Sequence, residues 1–345
     1  MSALEISEQR NINCRSITSI LNSTTCLECG PNLFEWICLS FVVVTIPVHI
    51  VTLIVVCAEI LINRRDNNSF YLICLAAGVL DLICLWNNYA FYLFPRWRWL
   101  NLSFIGNGDV ALHVGFFISW GLGIGQVNLT FLMTTNRYTA ILHPTKHDNF
   151  WEWKKACGMI FSIQLVGIAF GGIVFWSEVC ATVTKNGEIV IKLLSVKILG
   201  VTFGLAGLSI LFDMILIIWM YAKIFKFLVT RRQSIQDRKQ SVISQNFTWN
   251  SNRQEQKLLA MSVSVCVAFL AVFVCLAIKA FLGLDRENVI YVQLNTICCT
   301  VNIYSLLIFS GVIRKRLLSM FGCLRARQNT RHEVAFRIIL ARLFF

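Results

Sequence analysis

Seven long apolar segments are the feature that most restricts the folds open to this chain. They run approximately over residues 34–62, 70–94, 110–136, 156–177, 198–222, 258–284 and 289–313. About 20 apolar residues in a helix cross the hydrocarbon layer of a bilayer. A helix also satisfies its own backbone hydrogen bonds in lipid. We therefore predict an all-α membrane protein, a seven-transmembrane helix bundle over residues 34–313.

Two polar regions flank the predicted bundle. Residues 1–33 lack the apolar stretch of a signal peptide, and we expect them to form an extracellular tail. Residues 314–345 are predicted to form a cytoplasmic amphipathic helix and tail that contacts membrane lipid, because basic residues accompany apolar ones that share a helical face. The apolar residues of that face are Leu317, Leu318, Phe321 and Leu324.

The distribution of charge predicts the orientation of the bundle. Only 14% of the residues are charged, against about 25% in a typical soluble domain. The net charge of +13 does not indicate a nucleic-acid binder, because the basic residues lie between apolar segments and not on one soluble face. With the N-terminus outside, 22 of the 31 lysines and arginines fall on the inner side. Excess positive charge marks the cytoplasmic side.

Two positions are candidates for modification. Asn22 begins the glycosylation sequence Asn-Ser-Thr in the predicted extracellular tail. Cys323 lies where a palmitoyl chain attached after the seventh helix would enter the membrane. Most other cysteines lie inside apolar segments as small hydrophobes. None recurs at zinc-binding spacing, so we expect no metal site.

Acidic residues inside the apolar segments are candidates for function, because a buried charge in a membrane is costly. Asp81 lies midway along the second segment, and its candidate partners are Asn302 and Asn128, with a sodium ion or water nearby. The alternative is a neutral, hydrogen-bonded structural aspartate. Glu59 and Asp213 are expected to pair with inner arginines, although a transporter would use them as proton relays.

Polar and aromatic side chains toward the outer ends of the segments are candidates to line a small-molecule pocket. They are Asn87, Asn88, Tyr89, His113, Trp120, Lys279 and Asn295. Enzyme motifs such as H-E-x-x-H and G-x-S-x-G are absent from the sequence. We therefore expect a binding protein and not an enzyme.

Glycine pairs at four-residue spacing predict close contacts between helices, because they let two backbones approach. The pairs are Gly121/Gly125, Gly167/Gly171 and Gly200/Gly204.

The third segment ends in the sequence Asn136-Arg137-Tyr138, followed by a short apolar run and Pro144. Arginine costs about 2.5–3.5 kcal/mol at a helix centre in a membrane, so Arg137 should lie near an interface or face the bundle interior. Pro144 disfavours helix at the residue before it. We predict that the third helix ends close to this proline.

Seven spans, Asp81 in L-A-A-G-V-L-D and the N-R-Y-T-A-I-L-H-P run together resemble rhodopsin-like G protein-coupled receptors. More narrowly, residues 34–324 resemble the nematode serpentine chemoreceptors of the Srg superfamily, most of all serpentine receptor class V. The resemblance implies a chemosensory receptor in the plasma membrane, with a sensory cilium as one expected location, that takes part in olfaction. A small molecule bound in the outer half would activate a heterotrimeric G protein.

The resemblance also assigns roles to residues. Arg137 matches the arginine that holds the inactive state and then contacts the G protein, with Tyr138 beside it. Asn136 stands at the usual acidic position. Asp81 matches the sodium-site aspartate, and Asn302-Ile303-Tyr304 is similar to a shortened N-P-x-x-Y motif.

Some features of that class are missing. The tryptophan-proline pair of the sixth helix is absent, and no cysteine begins the third helix. The resemblance then implies a disulfide of Cys180 with Cys26 or Cys29 instead. Two rival classes are a secondary transporter that relays protons through Glu59, Asp81 and Asp213, and an inverted ligand-gated channel.

Overall fold

Eight numbered helices make up most of the described chain. The computed structural model describes residues 30–62, 69–97, 99, 108–177, 179–183, 189–193, 196–237, 263–272, 274–275 and 288–320. The helices are α1 (Leu33–Ile62), α2 (Ser69–Arg96), α3 (Gly108–Leu142), α4 (Trp153–Gly172), α5 (Val196–Asp237), α6 (Val263–Val272), α7 (Asn288–Phe309) and α8 (Gly311–Met320). Six are long and apolar enough to cross a membrane, and α6 is a shorter apolar helix. The predicted seven-helix bundle is confirmed.

The structure shifts several predicted boundaries. Helix α3 continues to Leu142, so Arg137 lies inside the helix and not at its end. Pro144 then begins a short helix, Pro144–Phe150, which we call the loop helix; proline suits a first helical position because its missing N–H needs no partner there. Helix α5 extends to Asp237, well past the predicted limit of 222. Helix α7 ends at Phe309, and α8 begins at Gly311.

Helix α2 contains a change of helical type. Its first part, Ser69–Asn87, is α-helical, and a π-helical segment, Asn88–Leu93, follows before a last turn at Phe94–Arg96. Pro95 lies in that last turn, and its lack of an N–H removes one α-helical hydrogen bond. A π segment inside an α-helix frequently marks a functional site. Here it places two predicted pocket residues, Asn88 and Tyr89, on a locally widened helix.

The core has three apolar clusters around the central helix α3. One joins α1, α2, α3, α4, α7 and α8 and includes Trp151, which is fully buried. A second joins α1, α2 and α7 near Glu35, and a third joins α3, α5, α6 and α7. We call the two ends of the bundle the Glu35 end and the Arg137 end.

Glycines bring the backbones of α3 and α4 into direct contact. A Cβ atom on Gly121 would lie 3.0 Å from the Gly167 carbonyl oxygen, and one on Gly171 would lie 2.8 Å from the Phe117 carbonyl oxygen. A Cβ atom on Gly167 would collide with the Gly121 carbonyl oxygen. The predicted close packing is therefore present between α3 and α4. Gly204 makes no such contact, because nothing lies within 4 Å of its Cβ position.

A β-hairpin follows α4, which the prediction of an all-α chain did not include. Strand β1, Val179–Val183, pairs antiparallel with β2, Ile189–Leu193, so that Val179 lies opposite Leu193 and Val183 opposite Ile189. β-Branched residues are frequent in both strands, which favours extended structure. The hairpin lies in the connection between α4 and α5 and leaves the helical bundle as predicted.

The α3–α4 contact predicts a selective effect of a single methyl group. We expect Gly167→Ala to lower the stability of the protein by about 1–3 kcal/mol, because the added Cβ collides with the backbone of α3. Gly172→Ala on the same helix is the matched control, since nothing lies within 4 Å of that Cβ position. Thermal unfolding in detergent compares the two. An equal midpoint for both variants would contradict the packing argument.

Candidate functional site

Three helices meet at the carboxylate of Asp81, which is 1% exposed. Gln126 on α3 donates its Nε2 to Oδ1 at 2.7 Å, and Asn302 on α7 donates its Nδ2 to Oδ2 at 2.8 Å. Each carboxylate oxygen therefore has an amide donor from a different helix. A buried polar group needs such partners, because leaving it unsatisfied costs about 1–3 kcal/mol.

The structure corrects one predicted partner of Asp81. Asn302 reaches the carboxylate, but the Asn128 amide donates to the Ile124 carbonyl oxygen of its own helix at 3.0 Å. Residues two apart on a helix point about 200° apart, so Gln126 and Asn128 face different neighbours. Gln126 takes the place that we expected Asn128 to occupy.

The side chains around Asp81 are arranged as hydrogen-bond donors and not as sodium ligands. Sodium, a hard cation, requires several oxygen ligands, whereas both carboxylate oxygens here accept amide N–H groups. Asn302 Oδ1 is a buried oxygen without a hydrogen-bond partner in the described chain, but one further oxygen does not complete a shell. The described residues therefore do not fit the expected sodium ion in this arrangement.

A second polar layer lies nearer the Glu35 end. Asn295 on α7 donates to Asn88 Oδ1 on α2 at 3.4 Å. Asn87 donates to the Ser119 hydroxyl at 2.7 Å and to the Gly115 carbonyl oxygen at 3.2 Å, both on α3. Buried polar atoms without a described partner remain in this layer, namely Asn87 Oδ1, Asn88 Nδ2 and the Tyr89 hydroxyl. Three of the predicted pocket residues thus lie close together across α2, α3 and α7.

The predicted pocket residues with aromatic rings have further contacts in the bundle. His113 Nε2 is 2.9 Å from the Ser177 carbonyl oxygen, and its ring stacks on Phe175 at the end of α4. Tyr89 packs edge-on against the aromatic rings of Phe94 and Trp97. Trp120 is partly buried on α3. Lys279 is outside the described residues.

A spacing of seven residues links the two polar layers and is a signal that the sequence analysis missed. Asn88 follows Asp81 by seven residues, and Asn302 follows Asn295 by seven. Seven residues are nearly two helical turns, about 10.5 Å along the axis and on one face. Ser119 and Gln126 on α3 have the same spacing. This repeat on three helices would have selected Gln126 over Asn128.

Arg137 lies against α2 near the other end of the bundle. Its guanidinium carbon is 3.4 Å from the centre of the Phe70 ring, a cation–π contact. The neighbouring Asn136 is buried and donates its amide to the Ser69 hydroxyl at 3.0 Å. No carboxylate forms an ion pair with Arg137 in the part of the chain that the structure describes.

The other two residues of the predicted switch face different helices. Tyr138 stacks on Trp219 of α5, with ring centres 5.8 Å apart. The Tyr304 hydroxyl lies 3.0 Å from Thr45 Oγ1 on α1, and its ring stacks on Phe41. Tyr304 therefore contacts α1 and is not brought to Arg137.

Hydrogen bonds at the Thr139 hydroxyl attach the loop helix to the end of α3. The Thr139 hydroxyl accepts a hydrogen bond from Trp151 Nε1 at 2.7 Å and lies 3.0 Å from His147 Nδ1. Burial lowers the pKa of His147, a trend that nearby Asp148 opposes and nearby Arg137 reinforces. The neutral imidazole is therefore favoured in this arrangement.

Ion pairs fix the two ends of α1. At the Glu35 end, Arg96 pairs with the buried Glu35, which also exchanges capping hydrogen bonds with Asn32. At the Arg137 end, Glu59 accepts a hydrogen bond from Arg316 of α8 at 3.1 Å. Glu59 therefore pairs with an arginine, as expected, and that arginine belongs to α8. Among the described residues, Asp213 forms no ion pair and its Oδ2 has no hydrogen-bond partner.

Several predicted modification and cross-linking sites fall outside the described part of the chain. They are Asn22, Cys26, Cys29 and Cys323. The backbone of Cys180 lies in β1, but its side chain is not described. The glycosylation, palmitoylation and disulfide predictions therefore stay predictions.

A seven-helix membrane bundle with Asn136-Arg137-Tyr138 near the end of α3 and a buried aspartate shared among α2, α3 and α7 defines a receptor of the G protein-coupled type. The family model described as "serpentine type 7TM GPCR chemoreceptor Srv" matches residues 38–323. The match covers most of the chain, which belongs to this family of chemoreceptors, a class without enzymatic function. The predicted resemblance is confirmed. A search among curated proteins finds no match.

The partly buried position of His147 predicts that the loop helix loosens in acid. Because burial lowers its pKa below the ordinary value of about 6.5, the loop contributes most stability above that value and loses it as the pH falls. We expect the protection factors of the amides across 144–151, which correct for the intrinsic slowing of exchange in acid, to fall between pH 7 and pH 5. His147→Asn is the control and should remove most of this pH dependence. A profile identical to that of the unchanged protein would contradict the assignment to His147.

Proposed function

We propose that this chemoreceptor activates a heterotrimeric G protein when a small molecule binds near the Glu35 end of the bundle. The receptor lies in the plasma membrane, in the cilium of a sensory cell, with the Glu35 end outside. The observation that carries the proposal is the position of Arg137, on the central helix at an end surrounded by exposed basic residues.

The Arg137 end offers a basic surface to a partner. Tyr221 of α5 lies level with α3 near Arg137, because its hydroxyl is 2.9 Å from Thr134 Oγ1. Helix α5 continues 16 residues beyond Tyr221 to Asp237, a projection of about 24 Å. Exposed cations lie along this projection, on the loop helix, in the first turn of α4 and on α8. They are Lys146, Lys154, Lys155, Lys223, Lys226, Arg231, Arg314 and Lys315.

The same charges support the proposed orientation. Positive residues accumulate on the cytoplasmic side of membrane proteins, and the exposed cations of the described residues are concentrated at the Arg137 end. The G protein is cytoplasmic, so in this orientation Arg137 lies on the same side of the membrane as the G protein.

The polar layer near the Glu35 end supports an uncharged ligand. Its described members are amides and hydroxyls, and the nearby charges of Glu35 and Arg96 neutralise each other. Asn88 Nδ2 offers a free donor, Asn87 Oδ1 a free acceptor, and the Tyr89 hydroxyl either. A ligand with one hydrogen-bond acceptor and one donor would satisfy the two asparagine atoms. An ionised ligand would find no opposite charge in this layer among the described residues.

The two polar layers provide a route from ligand to partner. A ligand between Asn88 and Asn295 contacts α2 and α7, which also hold Asp81 and Asn302 about 10.5 Å deeper. The ligand shifts the equilibrium between two bundle arrangements only through its difference in affinity for them. The coupling is reciprocal, so a bound G protein tightens ligand binding.

The rival transporter is less well supported by the ionisable groups. A proton relay needs groups that exchange protons along a path, whereas Glu59 is engaged by Arg316 and Asp81 by two amides. We therefore retain the receptor as the proposed function.

The role of Arg137 is tested by its removal. We expect Arg137→Ala to abolish ligand-stimulated nucleotide exchange on the G protein, because the side chain that would enter the partner is lost. Surface expression should remain close to that of the unchanged receptor. Lys155→Ala is the control, since Lys155 is an exposed cation paired with Glu152 at the same end. Signalling that survives Arg137→Ala would refute the assigned role.

The orientation is tested separately with epitope tags at the two termini. We expect antibody to reach an N-terminal tag on intact cells and a C-terminal tag after permeabilisation alone, because the basic end faces the cytoplasm. The rival inverted channel predicts the reverse labelling. That result would place Arg137 outside the cell and exclude contact with a G protein.

A further inference from the structure

We propose that the ring of Phe70 restrains Arg137 in the resting receptor, in place of the carboxylate that Asn136 lacks. This inference rests on the proposed function, because a restraint on Arg137 matters only if Arg137 contacts a partner. It adds a positioning residue on α2 that neither the motif nor the family assigns.

The geometry of the contact identifies Phe70 as the partner of Arg137. The guanidinium carbon lies 3.4 Å from the ring centre, well inside the roughly 6 Å range of cation–π contacts. Phe70 is itself half-buried against the apolar cluster of the Arg137 end. Such a contact strengthens when water is excluded. The ring therefore holds a half-buried cation that has no ionic partner in the described chain.

The side chain before Arg137 supports the same arrangement. Asn136 donates to the Ser69 hydroxyl at 3.0 Å, so consecutive residues of α3 contact consecutive residues of α2. An aspartate at 136 would instead offer Arg137 a charge on its own helix. With an amide there, the attraction on Arg137 comes from α2, and the restraint depends on how α2 and α3 are placed.

This dependence gives the restraint a way to respond to a ligand. Helix α2 carries Asn88 and Asp81 toward the Glu35 end, and Phe70 is on the same helix about three turns from Asp81 toward the Arg137 end. A shift of α2 relative to α3 separates the ring from the guanidinium. Arg137 is then free to enter the G protein. An Asp–Arg ion pair within α3 would be unaffected by such a shift, because both of its members would move together.

A double-mutant cycle tests the contact without any G protein. The four proteins are the unchanged receptor, Phe70→Leu, Arg137→Gln and the double variant, and the readout is the midpoint of thermal unfolding in detergent. We expect Phe70→Leu to lower the midpoint by several degrees with Arg137 present and by much less with Arg137→Gln. Leucine retains apolar bulk, so a loss of packing alone acts in both backgrounds. Equal shifts in both would overturn the proposal.

Basal nucleotide exchange on a purified G protein tests the restraint itself. Without ligand, we expect Phe70→Leu to raise the exchange rate about 3- to 30-fold, the range set by a partly buried cation–π contact. Phe70→Tyr keeps the ring and should raise it far less. Adding Asn136→Asp to Phe70→Leu supplies a carboxylate beside Arg137 and should return the rate toward its original value. Phe161→Leu, the same change on the exposed face of α4, is the control.

The two experiments separate the inference from the proposed function. Coupling in the cycle together with raised exchange supports the proposal. Coupling with a measurable but unchanged exchange rate overturns the restraint. If the cycle shows coupling and no variant promotes exchange, even after the cognate G protein subtypes are tried, the contact stands and the proposed G protein activation fails.

Discussion

The carboxylate of Asp81 is the interaction on which the arrangement of the bundle depends. A uniformly apolar helix can pack against its neighbours in many rotations about its own axis, because all of its faces are similarly hydrophobic. A buried carboxylate removes that freedom, since each of its oxygens needs a donor, and here the donors come from Gln126 on α3 and Asn302 on α7. The rotation of three helices is fixed together. Helix α1 attaches to this centre through His49 at the Gly78 carbonyl oxygen, and α4 attaches through the α3–α4 backbone contact.

Hydropathy predicted the helices that cross the membrane well, because lipid forces each span to be helical. It predicted their ends less well. Helix α5 runs on to Asp237 through a stretch in which basic and polar residues interrupt the apolar ones, and hydropathy reports contact with lipid and not helix formation in water. The hairpin between α4 and α5 was missed for a related reason, since two five-residue strands outside the bundle give no signal in a search for long apolar segments.

The candidate site was predictable where a single residue stands out and not where two helices must be compared. Asp81 and Arg137 are conspicuous as charges within apolar sequence. Whether Gln126 or Asn128 reaches Asp81 depends on the rotation of α3 about its axis. Both residues lie in the same apolar segment, so hydropathy does not distinguish between them. The contact of Phe70 with Arg137 depends on the relative height of α2 and α3, a quantity that no single-helix pattern contains.

The glycine contact between α3 and α4 has a mechanical consequence. A carbonyl oxygen of each helix lies where only hydrogen atoms fit on the other, so sliding by one residue, about 1.5 Å, would bring side chains into backbone. The two helices behave as one rigid unit, and Trp151 joins the loop helix to it through Thr139. We therefore expect α3, α4 and the loop helix to keep their relative positions when the receptor changes conformation. Displacement caused by a ligand must then occur in the helices that border this unit. Of these, α2 and α7 lie nearest the polar layers.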